Sequence, residues 1–76
     1  MKLSTIGSII QFHRKQAGIS QKELSDLAEI GKTAVFDLEK GKSNFRIKTL
    51  IKICSILNIK LEFQSPLMEY WRENES

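Results

Sequence analysis

The sequence holds one cysteine, one histidine and one proline, and these scarcities exclude several classes of protein. A lone Cys54 forms no internal disulfide, and a chain with one histidine lacks the ligands of a tetrahedral zinc site of its own. No apolar run approaches the roughly 20 residues that cross a bilayer, and the first residues lack the pattern of a secretory signal. We therefore expect a cytoplasmic protein with no metal, no cofactor and no membrane partner.

Groupings of catalytic residues are also missing. The sequence has no glycine-rich phosphate loop, no paired carboxylates with a pocket, and no Ser-His or Cys-His arrangement that spacing supports, so we expect no enzyme. His13 falls on the apolar face of the first predicted helix, which favours a packed, hydrogen-bonded core histidine over a catalytic base or a pH switch. Cys54 is interpreted as a small apolar core residue, with a reactive thiol as the alternative.

Length and charge distribution set the next limits. With 76 residues there is room for one domain. The net charge is only +3, but residues 1–60 carry eleven Lys or Arg against five acids, while residues 61–76 carry one against four. Five cations and no acid lie between Lys40 and Lys52. Such a cluster suits a polyanion, and a solvated surface is the alternative.

Apolar periodicity and capping residues predict four helices, over about residues 4–17, 21–28, 32–39 and 46–57. The second helix opens with a capping box formed by Ser20 and Glu23. In the third helix, Val35 and Leu38 face inward. Because a turn of about three residues joins these two short helices, the sequence predicts a helix-turn-helix arrangement.

Residues 59–64 change from helical to alternating periodicity, which predicts a half-buried strand. A single strand leaves its backbone groups unpaired, so we expect it to pair with the same strand of a second copy across a two-fold axis. Ile53 and Ile56 support this homodimer because they lie off the main apolar face of the fourth helix; a helix buried on more sides is the alternative. That face is formed by Ile47, Leu50, Ile51, Cys54 and Leu57. The predicted dimer interface is formed by Ile53, Ile56, Ile59, Leu61 and Phe63.

The run ISQKELSDLAEIGKTAVFDLEKGK, followed by TLIKICSILNI, resembles the Xre/Cro-type helix-turn-helix family of phage repressors and bacterial regulators. The likeness covers roughly residues 6–59. It implies an all-α, lambda-repressor-like domain of four to five helices over residues 1–64, which includes the one C-terminal strand that pairs across the homodimer. Its function would be that of a sequence-specific, nucleoid-associated bacterial repressor, bound as a dimer to a palindromic operator in double-stranded DNA.

The resemblance also implies where DNA is contacted. Base contacts fall at the start and on the outward face of the third helix, at Gly31, Lys32, Thr33, Phe36 and Asp37. Phosphate contacts fall at Gln21, Lys40, Lys42, Ser43, Asn44 and Arg46. The resemblance further suggests that Arg14 pairs with Glu39, with a phosphate contact as its alternative. Glu29 stands where the family's turn glycine is usual, so it either adopts a positive φ or indicates a different turn.

A narrower likeness concerns the C-terminal residues. A strand after the fourth helix, closing with a short tail, looks like the HipB antitoxins that accompany HipA-type serine/threonine kinase toxins. It implies an antitoxin that represses its own operon and binds a HipA-like kinase; a stand-alone Xre regulator without a toxin is the alternative. In the acidic tail, residues 65–76, we expect Leu67, Tyr70 and Trp71 either to dock such a partner or to fold back over the core as a short helix.

Overall fold

The architecture is a set of short helices, seen in a computed structural model that describes residues 3–42 and 45–75. The helices are α1 (Leu3–Gln16), α2 (Gln21–Ala28), α3 (Lys32–Glu39), α4 (Ile47–Leu57) and α5 (Met68–Glu75). The predicted helical, helix-turn-helix fold is confirmed, and α2 and α3 have the bounds that the sequence predicts. None of these helices is both long and apolar enough to cross a membrane.

Local side-chain chemistry defines where the helices begin and end. At the start of α2, the Ser20 hydroxyl accepts from the Glu23 N–H at 3.0 Å, and the Glu23 carboxylate accepts from the Ser20 N–H at 3.0 Å, which completes the capping box. α1 is followed by Gly18 with a φ of 72°, and α4 ends at Asn58 with a φ of 63°. Both are residue types that adopt the left-handed conformation readily, so these two ends are set by the sequence nearby.

One apolar core lies between the first four helices. α3 packs against α1 and α2, and α4 packs against α1 and α2. The buried apolar side chains are Ile10, Leu24, Ala28, Val35, Leu38, Leu50, Ile53, Cys54 and Leu57. Burial raises the pKa of the Cys54 thiol above its ordinary value, which disfavours the reactive thiolate and agrees with a core role.

The inward face of α4 differs from the predicted one. The buried residues of this helix are Leu50, Ile53, Cys54 and Leu57, spaced as a regular helical stripe. Ile53 is fully buried in the chain's own core, whereas Ile51 is 53% exposed and Ile47 is 63% exposed. Ile53 is therefore removed from the predicted dimer interface. For Ile53, burial within its own chain, which was the alternative to a dimer contact, is therefore confirmed.

α1 and α3 approach closely at Gly7. A Cβ atom placed on this glycine would lie 2.4 Å from the carbonyl oxygen of Leu38 and 2.7 Å from that of Glu39. Because real Cβ atoms do not come so near to backbone atoms, only glycine permits this distance between the two helices. The contact positions the C-terminal end of α3 on the rest of the core.

The environment of His13 agrees only in part with the predicted packed, hydrogen-bonded core histidine. The imidazole Nδ1 donates to the carbonyl oxygen of Ile9 at 2.6 Å, and the ring meets the Phe12 ring edge-on at 5.5 Å between centroids. The residue is half-buried, at the margin of the core. The expected hydrogen bond is present, but the fully packed core position is not.

The predicted strand over residues 59–64 is not present: across residues 3–42 and 45–75 the backbone forms no strand. A strand is held by hydrogen bonds to a neighbouring strand, and no other described segment of this chain supplies one. Ile59 continues the cap of α4, since its N–H donates to the carbonyl oxygen of Cys54 at 2.8 Å. Ile59 also packs on the core, while Leu61 and Phe63 are exposed.

α5 follows this segment and does not join the core. None of its side chains is buried against the described part of the chain. Leu67, Tyr70 and Trp71 are all exposed, with 54% of Trp71 accessible. The tail is a short helix, as one alternative expected, but it does not fold back over the core.

Candidate nucleic-acid interface

The outward face of α3 is the centre of the candidate site. Val35 and Leu38 are buried on its inner side. The side chains of Lys32, Thr33 and Phe36 are exposed on the other side, as helical geometry requires of these positions. The helix therefore presents a cation, a hydroxyl and an aromatic ring to the solvent.

The N-terminus of α3 is open to solvent. Gly31 is the N-cap residue, with a φ of −69° and no capping side chain. A Cβ atom at this position would meet nothing within 4 Å. The chain's own packing therefore does not demand a glycine at Gly31, and the space in front of the helix N-terminus is free for another molecule.

The turn between α2 and α3 is made at Glu29, which has a φ of 56° and a ψ of 47°. Of the two expected possibilities, Glu29 thus adopts the positive φ. Its N–H donates to the carbonyl oxygen of Asp26 at 3.2 Å, and the next N–H, of Ile30, donates to that of Ser25 at 2.9 Å. These bonds hold a side-chain-bearing residue in a conformation that costs it energy relative to glycine.

A buried ion pair joins α1 to α3. The Arg14 guanidinium donates to both carboxylate oxygens of Glu39, from Nε at 2.6 Å and from Nη2 at 3.0 Å, so the expected pairing is confirmed. Nη1 of Arg14 donates to the carbonyl oxygen of Ile19 at 3.0 Å. The hydrogen bond to Glu39 is the main cause of the raised pKa of Arg14, against which desolvation acts. This bidentate geometry fixes the rotation of α3 on the core.

Glu39 also holds Gln21. The Gln21 side-chain amide donates to Oε1 of Glu39 at 3.1 Å, which ties the first turn of α2 to the last turn of α3. Sequence reasoning placed Gln21 at a phosphate but missed this bond, because eighteen residues separate the two partners and no local pattern joins them. The bond orients the amide at the helix N-terminus, where backbone N–H groups favour an anion.

Two contacts organise the C-terminal half of the α3 face. The Lys40 ammonium lies 5.3 Å from the centroid of the Phe36 ring, within the range of a cation–π interaction. The Lys42 ammonium lies 3.2 Å from Oδ1 of Asp37. The predicted base-contact residues Phe36 and Asp37 are thus each paired with a predicted phosphate-contact lysine. The carboxylate of Asp37 is offset by a neighbouring cation.

A polar cleft lies beside this face. Arg46, the N-cap residue of α4, is exposed at its edge. The cleft is lined by Ala34, Asp37, Lys42, Phe45, Arg46 and Thr49. The structure therefore brings Lys42 and Arg46 together near α3, whereas Ser43 and Asn44, also predicted to contact phosphate, lie outside the described residues. Phe45 and Thr49 were not predicted, and only the approach of the loop to α3 reveals them.

A second surface, apolar in character, lies away from the α3 face. Of the predicted dimer residues, Ile59 is half-buried and the side chains of Ile56, Leu61 and Phe63 are exposed, with 82% of Phe63 accessible. Sequence reasoning missed the exposed apolar residues Leu27, Ile47 and Ile51. Their signal was the excess of apolar residues on α2 and α4 over what one buried stripe can accommodate.

Comparisons with known proteins agree on the nature of the chain. Residues 10–64 match the helix-turn-helix family. An uncharacterized HTH-type transcriptional regulator of Sinorhizobium fredii, y4mF, is 28% identical over 61 residues, which cover 80% of each chain. An uncharacterized HTH-type transcriptional regulator of Haemophilus influenzae is 39% identical over 44 residues, 58% of this chain and 45% of that protein.

A solved structure supports the fold. The protein named "MDT Protein" superposes with a TM-score of 0.78 at 20% sequence identity, over 87% of this chain and 93% of its own. At that identity the likeness concerns the fold alone.

Proposed function

Since the chain belongs to the helix-turn-helix family of DNA-binding transcriptional regulators, we propose that it is a sequence-specific repressor that binds its operator as a homodimer. One observation carries the proposal. α3 is anchored by Val35, Leu38 and the pair of Glu39 with Arg14, while Lys32, Thr33 and Phe36 are exposed on its other face. A rigid helix with an outward set of hydrogen-bonding and apolar groups is what major-groove recognition requires.

The exposed groups of α3 match the chemistry of base edges. Lys32 donates to O6 or N7 of guanine, Thr33 contacts either base type, and Phe36 lies against a thymine methyl group. The open space before Gly31 allows the DNA to approach the helix N-terminus. Each good contact discriminates between bases by about 1–3 kcal/mol. Asp37 lies beside them, with its charge offset by Lys42.

Phosphate contacts flank this face. Gln21, oriented by Glu39, anchors one strand at the N-terminus of α2. Lys40, Lys42 and Arg46 follow α3 and supply positive charge for the backbone, as do Ser43 and Asn44 in the family pattern. These contacts set affinity rather than sequence preference, because phosphates are the same at every base pair.

The homodimer forms through residues 59–64. Leu61 and Phe63 are exposed in the single chain, and the segment has no strand partner within the described residues. Pairing with the same segment of a second copy, antiparallel across a two-fold axis, satisfies the backbone of both segments. Two α3 helices related in this way reach successive major grooves about 34 Å apart, so the operator is a near-palindrome.

A binding selection on randomised duplex DNA, followed by titration of the selected site, tests this function. We expect a palindromic site, whose preference the double substitution Thr33→Ala and Phe36→Ala abolishes while nonspecific binding persists. Lys42→Gln lowers the logarithmic salt slope by about 0.9 for the lost phosphate contact. Lys15→Gln, which removes an exposed cation of α1, is the control and leaves the slope unchanged. A salt-independent affinity contradicts the proposal.

A second candidate function is that of a HipB-type antitoxin that binds a HipA-like kinase and represses its own operon. The observation that favours it is the exposure of Tyr70 and Trp71 on α5 and of Leu67 just before it, since α5 buries no side chain against the described residues. Aromatic side chains of this kind are frequent anchors at protein interfaces. Coexpression with a kinase encoded by a neighbouring reading frame tests it: the antitoxin relieves growth arrest and copurifies with the kinase. Without such binding, the chain acts as a stand-alone regulator.

A further inference from the structure

The side chains of α5 are largely exposed. The helix has eight residues and buries none of them against the described chain, while Tyr70 and Trp71 remain exposed. A helix this short is marginal in water, since helical stability in proteins comes mostly from packing of an apolar face. Within the described residues, α5 therefore lacks the packing that stabilises a helix of this length.

A surface of suitable character exists on the same molecule. An open apolar groove of about 590 Å³ runs along α4 under the following segment. It is lined by Ile47, Leu50, Ile51, Cys54, Ser55, Ile59, Leu61, Glu62 and Phe63. Ile51 and Ser55 also line a neighbouring groove with Leu27 and Ile56, so the apolar surface continues across α4 towards α2.

The charges of the two elements are complementary. α5 carries three acids and one base: Glu69, Glu73, Glu75 and Arg72. α4 carries two exposed lysines, Lys48 and Lys52, and no acid. Lys52 lines the neighbouring groove, and Glu62 is the acid that lines the main one. An acidic helix with an apolar aromatic patch thus fits a basic helix with an apolar groove, and its sign is wrong for DNA.

In the proposed homodimer, the direction of the paired segments places α5 near the groove of the partner. In an antiparallel pair of the 59–64 segments, the end of one strand lies beside the beginning of the other. Residue 65 of one copy is then next to Asn58 and Ile59 of its partner, where α4 ends and the groove begins. α5, which follows at Met68, leaves the paired segments over the partner's α4 rather than its own.

We propose that each copy docks its α5 into the α4 groove of the other, with Tyr70 and Trp71 covered there. This exchange rests on the proposed homodimer and extends it. The two paired segments and the two exchanged helices form one continuous interface, and each groove is incomplete without the partner's helix. The segment that looked available for a foreign partner is thereby occupied by a second copy.

Trp71 makes the inference directly measurable, because it is the only tryptophan in the sequence. Sedimentation of the full chain over a dilution series gives the range in which monomers become dimers. Over the same range, the Trp71 emission shifts to shorter wavelength and acrylamide quenching falls. A dimer in which Trp71 stays as quenchable as in the monomer overturns the exchange but leaves the proposed homodimer intact. A chain that stays monomeric overturns both.

A mixing experiment separates exchange from docking within one chain. The first variant, Ile51→Glu, has an altered groove that repels the acidic helix and retains Trp71; Ile51 is half-exposed, so the fold tolerates the change. The second variant, Trp71→Phe, has an intact groove and no tryptophan. Alone, the first variant shows an exposed Trp71. Excess second variant restores the shift to shorter wavelength, because the helix enters the partner's groove.

The control variant is Phe12→Glu, an exposed apolar residue of α1 that does not line the groove. Its Trp71 is protected in the dimer as in the unaltered chain. Thermal unfolding followed by circular dichroism verifies that all three variants are folded. An Ile51→Glu chain whose Trp71 stays exposed after mixing overturns the inference. Protection that appears only when a kinase is added also overturns it and assigns α5 to the toxin.

Discussion

Helices α1 to α4 differ from residues 59–75 in how completely a single chain pairs their polar groups and buries their apolar side chains. In the four-helix body, Arg14 and Glu39 are buried yet fully engaged, and no buried side-chain polar atom lacks a partner in the described residues. In the C-terminal part, apolar side chains such as Leu61, Phe63 and Trp71 remain in solvent. The comparison separates a unit with a packed core and partnered buried polar groups from a segment whose large apolar side chains are mostly exposed.

The difference has a consequence for function. A DNA-reading helix must keep its orientation whether or not a second copy is present, and the body supplies this through Gly7, Glu39 and the apolar core. Association of two copies, by contrast, is reversible when each associating surface is also stable while exposed to water. In the proposed homodimer, DNA affinity depends on protein concentration, because two linked reading helices bind more tightly than one.

The largest expected effect comes from breaking the buried ion pair. Glu39→Ala leaves the Arg14 charge buried without its partner and releases Gln21, so the free energy of unfolding falls by about 3–5 kcal/mol. Urea unfolding measures this loss. The control is Asp26→Ala in the exposed pair with Lys22, which changes stability by less than about 0.5 kcal/mol. Equal effects of the two substitutions would remove the contrast between the body and its surface.

The next prediction tests which face of α4 packs in the core and which face is exposed. Ile53→Ala opens a cavity in the core and lowers the free energy of unfolding by about 2–5 kcal/mol. Ile51→Ala, measured at concentrations where the chain is monomeric, changes stability by about 0.5 kcal/mol. At higher concentration, sedimentation shows a weaker dimer for Ile51→Ala. The reverse order of the two losses contradicts the orientation of α4.

A moderate effect is expected at the contact between α1 and α3. Gly7→Ala forces these helices apart, because the new Cβ meets the carbonyl oxygens of Leu38 and Glu39, and we expect a loss of about 1–3 kcal/mol. Operator affinity falls as α3 changes its tilt. Gly31→Ser is the matched change at a glycine with open space around it, where serine is a preferred N-cap residue and causes no loss of stability. Thermal unfolding of both variants decides the matter.

The smallest effect has the opposite sign. Glu29→Gly relieves the left-handed conformation of the turn, so the free energy of unfolding rises by about 0.5–1 kcal/mol. Asn58→Gly, at the other left-handed position, brings a smaller gain because asparagine tolerates that conformation better than glutamate. Chemical denaturation measures both. A loss of stability at Glu29→Gly would show that the glutamate side chain contributes more than its backbone strain costs.

Interactions between residues close together in the chain were predictable. Ser20 and Glu23 mark the start of α2, and their capping box occurs as expected. Gly18 and Asn58 mark helix ends through the same kind of local chemistry. The predicted strand is absent, because no described segment of the chain supplies the neighbour with which a strand forms its hydrogen bonds. Ile51 and Ile53 show the same limit within a helix, since both fit a helical stripe and only packing chooses between them.

By itself the sequence determined helices α1 to α4, the capping box of α2 and the outward face of α3, because each depends on residues within about one or two turns of one another. Only the tertiary structure decided that Gln21 bonds Glu39, that Gly7 admits α3 and that Ile53 rather than Ile51 lies inside. These partners are distant in sequence, and their meeting depends on how complete helices pack, which no local pattern encodes.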